Sequence, residues 1–296
     1  LPSARRGATI AARGEAAHGD GRGGGGAGKG DVVAARAALE RAAAGACCWC
    51  SGAIFGAYII AFFGGAALRG ETARWNESLA NLHDPATPLA TLAMGVHFAT
   101  GGVLLLLGPL QLIGALRRRH PALHRWLGRL YVLCACVAGL GGLGFILSRG
   151  TIGGAVMSTG FALYGALMAV AATLTYAAAR AGRTEAHRAW AIRLFALTVG
   201  SWLYRMEYGA WFLAIGRDGH TADFRGGFDQ ALVFLFYLPN LAVAELFVRV
   251  RRRTTRAATT LGATAVLLAA TAFVAAATWF FTLRSWGPGI AAGLLG

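Results

Sequence analysis

Residues 97–133 read HFATGGVLLLLGPLQLIGALRRRHPALHRWLGRLYVL. An apolar run ends in three arginines and a histidine, and a second apolar run starts directly behind them. The first run shows no period-2 alternation, and its apolar residues surround the helix instead of forming a stripe. A helix that is hydrophobic all round is buried, in a large core or in a bilayer. Working outward, seven such stretches occupy residues 44–283: Ala44–Leu68, Pro88–Leu116, Trp126–Ser148, Gly154–Ala179, Ala189–Ile215, Asp229–Val248 and Thr259–Leu283. Each supplies roughly the 20 residues that cross about 30 Å of hydrocarbon. The expected fold is an all-α, polytopic membrane bundle of about seven transmembrane helices. A disordered tail is expected over residues 1–43 and a short C-terminal tail over 284–296.

Composition agrees. Of 296 residues, 56% are hydrophobic and only 14% charged, where a soluble chain carries about 25%. The net charge of +15 would suggest nucleic acid in a soluble protein. Here the positive charge collects at alternate helix ends, which argues for topology and against a nucleic-acid partner. One set of ends holds the tail's Arg5, Arg6, Arg13, Arg22, Lys29, Arg36 and Arg41, then Arg117–Arg119 with Arg125 and Arg129. It continues with Arg180, Arg183, Arg188 and Arg193, and with Arg249, Arg251–Arg253 and Arg256. The opposite ends hold fewer arginines, mixed with Glu71, Glu77, Asp84, Asp218 and Asp223. The expected orientation is N-terminus cytoplasmic and C-terminus opposite, with anionic lipid headgroups as partners on the cytoplasmic side. The tail carries Glu15, Asp20, Asp31 and Glu40, which counts against an organelle transit peptide.

Two helix starts resemble each other. HRWLGRLY (124–131) and HRAWAIRLF (187–195) each set His and Arg at the boundary, Trp at the headgroup level and a second Arg deeper. Spans two to three and four to five therefore read as related hairpins in parallel sense. Snorkelling arginines and an interfacial Trp explain each motif alone. The sharper reading is that His124 and His187 face each other across the bundle mouth. Arg125, Arg129, Arg188 and Arg193 would surround them, and the pair would bind a haem, a metal or an acidic headgroup.

Helical spacing sorts the intramembrane polar residues by face. His97, Thr100, Gly101, Leu104, Gly108 and Gln111 form one stripe, and His187, Leu194, Thr198, Ser201, Arg205 and Tyr208 another. An ionisable residue inside a membrane is a functional candidate by default, with an internal ion pair as the structural alternative. Arg205 is expected to pair with Glu207 or Asp229, Asn240 to sit by a carbonyl freed by Pro239, and Glu245 to pair with a twin-motif arginine. His97 has small neighbours that leave room for a flat ligand. The CCWC cluster, Cys47–Cys50, fits juxtamembrane palmitoylation better than metal. Cys134 and Cys136 read as small apolar residues, and no nucleotide-binding or hydrolase motif occurs.

The strings HFATGGVLLLLGPLQL (97–112), LRRRHPALHRWLGRLYVL (116–133) and HRAWAIRLFALTVGSWLYR (187–205) resemble the "predicted membrane protein" group called domain of unknown function 2306, over about residues 95–210. The resemblance implies characteristic positions at His97, Gly101, Gly108, Gln111, His124, Arg125, Gly128, Arg129, His187, Arg188, Trp190 and Arg193. It implies a fold and no established activity. A looser likeness links the helix starts to membrane-embedded b-type cytochromes and ferric-reductase-like bundles, which ligate haem through paired histidines. The sequence departs from that pattern, because neither His124 nor His187 has a second His deeper on its own span.

Three functional expectations follow. One is a membrane redox protein holding haem b or a quinone, with His97, His124 and His187 as ligands and the four arginines neutralising its acidic groups. Another is a small-solute or proton-linked transporter whose path runs past Gln111, Arg205, Glu207 and Asn240. A lipid-binding scaffold without catalysis is the third reading.

Overall fold

The computed structural model describes residues 29–250 and 258–295. The chain divides into a first unit, Leu1–Leu39, and a second, Glu40–Gly296. The expected tail lies outside the described residues up to residue 28. From Lys29 the chain is helical, and AARAALERAAA (34–44) is built from the strongest helix formers. The arginine-rich stretch 251–256 also lies outside the described residues.

Among the described residues the longer helices are α1 (Lys29–Tyr58), α2 (Pro88–Leu112), α3 (Pro121–Arg149), α4 (Gly154–Arg180), α5 (Thr184–Thr198), α6 (Gly200–Ala214), α7 (Gly227–Leu235), α8 (Leu238–Val250), α9 (Ala258–Phe281) and α10 (Gly287–Leu295). Among the described residues there is no strand. Among the described residues six stretches are long and apolar enough to cross a bilayer: Ala42–Leu68, Pro88–Leu112, Pro121–Arg149, Gly154–Arg180, Gly227–Arg249 and Leu268–Leu295. Pro88 and Pro121 open α2 and α3, where a missing N–H costs nothing.

The span expected over 189–215 is present as two helices that meet at Val199. Side chains compete for its backbone there. Tyr164 Oη donates to the Leu197 carbonyl at 2.8 Å, and Thr198 Oγ1 to the Phe195 carbonyl at 3.0 Å. Such side-chain bonding to a helical carbonyl bends helices. The sixth span breaks between α7 and α8, because Pro239 has no N–H for the turn before it. The residues read as a C-terminal tail are helical instead. A π segment, Thr282–Trp286, leads into α10, which packs on a second π segment, Ile59–Gly64, with Gly293 against Ala61. These residues are small or apolar and find a surface to bury, which a solvated tail would not need.

Consecutive helices α2, α3, α4 and α5 pack side by side. Helix α9 lies on α6, α8 on α5 and α7 on α4. The α3–α4 contact is backbone to backbone: a Cβ on Gly139 would stand 2.7 Å from the Gly165 carbonyl, so glycine allows a distance that alanine would not. Two clusters of buried side chains result. One gathers Phe62, Trp75, Met206 and Trp286, the other Ala135, Ala172, Leu194, Phe236 and Tyr237. Phe281 packs against both.

Candidate functional site

Where the two clusters meet, the bundle is hollow. Two cavities, about 320 and 440 Å³, share the residues His97, Phe161, Tyr164, Ser201 and Arg205. Volumes of this order suit a small organic ligand, and apolar walls with a few convergent polar groups are what such sites present. The walls of the first include Phe55, Tyr58, Phe98, Phe281 and Trp286.

Local sequence explains the polar groups. Ser201, Tyr204, Arg205 and Tyr208 recur at three- and four-residue spacing on α6, so they share one face. That face borders the cavity. On α2, His97 is fixed by α3. A Cβ on Gly141 would lie 2.8 Å from the Ala93 carbonyl and 3.3 Å from the His97 nitrogen. The absent side chain brings α3 close enough for His97 Nδ1 to reach the Ala138 carbonyl at 2.8 Å. A carbonyl only accepts, so Nδ1 carries the hydrogen and Nε2 is the nitrogen with a free lone pair.

Arg205 is the unusual member. Its guanidinium lies over the rings of Phe55 (5.3 Å) and Tyr204 (5.7 Å). Among the described residues its one hydrogen bond is long, 3.4 Å to the Ser201 carbonyl of its own helix. Among the described residues no carboxylate comes within salt-bridge distance of it. Both expected partners are corrected. Glu207 is two residues away, a step of about 200° around the helix, and its Oε2 is buried without a hydrogen bond. Asp229 is engaged elsewhere.

Asp229 is fully buried. Its Oδ1 accepts from the Tyr208 hydroxyl at 2.6 Å and pairs with His220 Nδ1 at 2.8 Å. Its Oδ2 accepts from the backbone N–H of Thr221 at 3.0 Å and of Gly226 at 3.1 Å. Tyr208 and His220 line the first cavity. Sequence reasoning missed His220 as a functional residue. The available signal was a histidine in a polar loop, DGHTADFRGG (218–227), ahead of an aspartate in the first turn of the next helix. In that loop Asp223 is held below the usual carboxylate range by the Thr221 hydroxyl at 2.6 Å, with Arg225 adding its charge.

The twin motifs form a second group. His124 lies within electrostatic reach of His187, Arg117 and Arg125. His187 Nδ1 is 3.0 Å from the Thr175 carbonyl. His124 Nδ1 and Gln111 Nε2 are buried without a hydrogen bond. Arg193 meets Glu245 through Nη2 at 2.6 Å and Nε at 3.0 Å, and stacks over Trp190 at 4.7 Å. Arg125 and Arg129 are exposed and Arg188 half-buried. Neither His124 nor His187 lines either cavity, so those cavities offer no slot for a haem between them. Asn240 Nδ2 donates to the Phe236 carbonyl at 2.6 Å, so its amide fills a carbonyl beside the break. Gln111, Glu207 and Asn240 stand off the cavities as well. Of the residues expected to act, the fold joins His97 with Arg205 and His124 with His187, and leaves those three apart.

Among the described residues no group of three or more His, Cys, Asp or Glu is placed to hold a metal ion. Cys47 is half-buried, Cys48 and Cys50 are exposed, and all three are free thiols.

The family model described as "Predicted membrane protein (DUF2306)" matches residues 94–248, more than half of the chain, from the turn before His97 to beyond Glu245. No curated protein and no solved structure matches the chain.

Proposed function

The chain belongs to the DUF2306 family of predicted membrane proteins, and from that premise we propose that it binds a flat, apolar amphiphile with an acceptor oxygen, quinone-like, in the intramembrane cavity between His97 and Arg205. The observation that carries this reading is the guanidinium of Arg205, which faces a largely apolar cavity with no carboxylate at salt-bridge distance among the described residues. An arginine inside a membrane is costly unless something pairs or hydrates it. A ligand oxygen in the cavity would supply that pairing, His97 Nε2 would accept from a ligand hydroxyl, and the aromatic walls would take the apolar body.

The binding reading keeps the redox expectation in its quinone form and sets aside haem between the mouth histidines. Transport finds less support, since Gln111, Glu207 and Asn240 do not border the cavity that Arg205 lines. The arginine-rich helix ends face the cytoplasm in this reading, with the N-terminus on that side and the C-terminus opposite. Arg117, Arg125, Arg129 and Arg188 then meet anionic headgroups.

The test is saturable quenching of tryptophan fluorescence in the purified, detergent-solubilised protein by decylubiquinone, since Trp286 lines the cavity. Arg205→Met should weaken binding at least about tenfold, the value of one charge-assisted hydrogen bond. Non-saturable quenching, or binding unchanged in Arg205→Met, overturns the reading. An absorbance spectrum with a Soret band lost in His124→Ala would restore haem in its place.

A further inference from the structure

The same cavity has a second polar wall. Tyr208 and His220 border it together with Arg205, and Asp229 stands behind them. Four donors reach the two oxygens of Asp229: Tyr208 Oη, His220 Nδ1 and the backbone N–H groups of Thr221 and Gly226. With both oxygens occupied as acceptors, the carboxylate orients the imidazole with Nδ1–H toward itself. In the neutral ring Nε2 then holds a free lone pair. Among the described residues Nε2 makes no hydrogen bond. The side chain is 9% exposed, and it sits in the loop between α6 and α7, outside the apolar spans.

The surroundings of the ring are set from every side. Tyr208 and Phe212 contribute from α6, at 5.7 and 5.2 Å between ring centres. Phe224 contributes from the loop, at 5.1 Å. Asp229 contributes from α7, and Arg217 reaches only the Phe212 ring, at 5.7 Å. A carboxylate-held imidazole in an aromatic niche, at the edge of a cavity that also holds an arginine, is an arrangement that accepts a proton.

We propose that His220 is the proton acceptor of the cavity, and that the ligand is an amphiphile with an acidic oxygen, bound as its anion. The proposal rests on the reading above that the cavity takes an amphiphile whose oxygen meets Arg205, and it replaces the neutral quinone-like oxygen of that reading with an acidic one. When the acid enters with its hydrogen, the O–H bond breaks and its electron pair stays on oxygen, which Arg205 then holds. The proton forms a new bond to His220 Nε2, and Asp229 balances the imidazolium through Nδ1–H. When the ligand enters already ionised, the proton on Nε2 comes from the aqueous phase. No oxidant or reductant takes part. A purely structural Asp229, closing the loop 216–227, would give the same hydrogen bonds and no proton chemistry.

Proton inventory separates the two. Laurate is titrated into the full-length protein in detergent at pH 8, in buffers of different ionisation enthalpy, and the protons taken up per laurate bound are counted. The wild type should show net proton uptake on binding laurate. His220→Asn keeps an amide N–H where Nδ1–H donates to Asp229 but has no second nitrogen, so uptake should fall to near zero and laurate should bind about tenfold more weakly. Laurate binding without uptake in the wild type overturns the proposal without calling on any variant. So does uptake that survives in a folded His220→Asn protein, and so does absence of laurate binding. Decylubiquinone quenching in the same preparation reports separately whether the cavity binds a ligand at all.

Discussion

Arg205→Met should stabilise the ligand-free protein while damaging the site. Methionine keeps an unbranched, adaptable stem and removes the charge. On the reading that Arg205 lies near mid-membrane, its insertion costs about 2.5–3.5 kcal/mol on insertion scales. Against this, the contacts of the guanidinium with Phe55 at 5.3 Å and Tyr204 at 5.7 Å return about 0.5–1 kcal/mol each. The 3.4 Å bond to the Ser201 carbonyl is too long to add much. The balance leaves the arginine unfavourable by about 1–2 kcal/mol in the empty protein. Arg205→Met should therefore raise the unfolding free energy by about that amount. Reversible unfolding in mixed micelles, with SDS as denaturant and tryptophan fluorescence as probe, measures it. A loss of stability of more than about 1 kcal/mol would mean that the guanidinium is already paired in the folded protein. The ligand argument would then lose its foundation.

Ser51→Ala removes the acceptor of the buried Trp202 indole N–H, 2.8 Å away, and with it the link to Thr278 on α9. The same unfolding assay should show a loss of about 1–2 kcal/mol, the cost of an orphaned buried donor tempered by the modest worth of interhelical bonds in membranes. Gly139→Ala places a methyl 2.7 Å from the Gly165 carbonyl, and overpacking should cost about 1–3 kcal/mol as α3 and α4 separate. Outside the spans, the Arg69 side chain at 3.1 Å holds Glu71 below its ordinary range. A lowered folded value gives a contribution that is complete above the unfolded value, about 4.3, and lost as pH falls through the folded one. Amide exchange over residues 69–74, corrected for intrinsic rates, should therefore accelerate relative to the rest of the chain once pH drops below about 4.

Much of the fold was legible because membrane spans announce themselves locally. An apolar stretch of sufficient length needs no knowledge of its neighbours, and the starts at Pro88 and Pro121 follow from proline chemistry alone. What local sequence could not show was where side chains would compete for backbone. The break at Val199 depends on Tyr164, whose hydroxyl bonds the Leu197 carbonyl thirty-three residues further along the chain. The C-terminal helix depends on the surface that the π segment near residue 60 offers it.

The site divides in the same way. Helical spacing put Ser201, Arg205 and Tyr208 on one face, and the rarity of intramembrane charge singled out His97 and Arg205. Pairing is a property of three dimensions, however, and there proximity in sequence misled: Glu207 lies near Arg205 in the chain yet projects from another side of α6. Asp229 had a stronger claim from Tyr208, His220 and two loop amides. The apolar runs along the chain establish a multi-pass membrane protein of the family and mark which side chains are expensive to bury. Which of them share a cavity follows from how the helices pack, because a hydrogen bond or an ion pair forms over a few ångströms and the chain's order does not measure that distance.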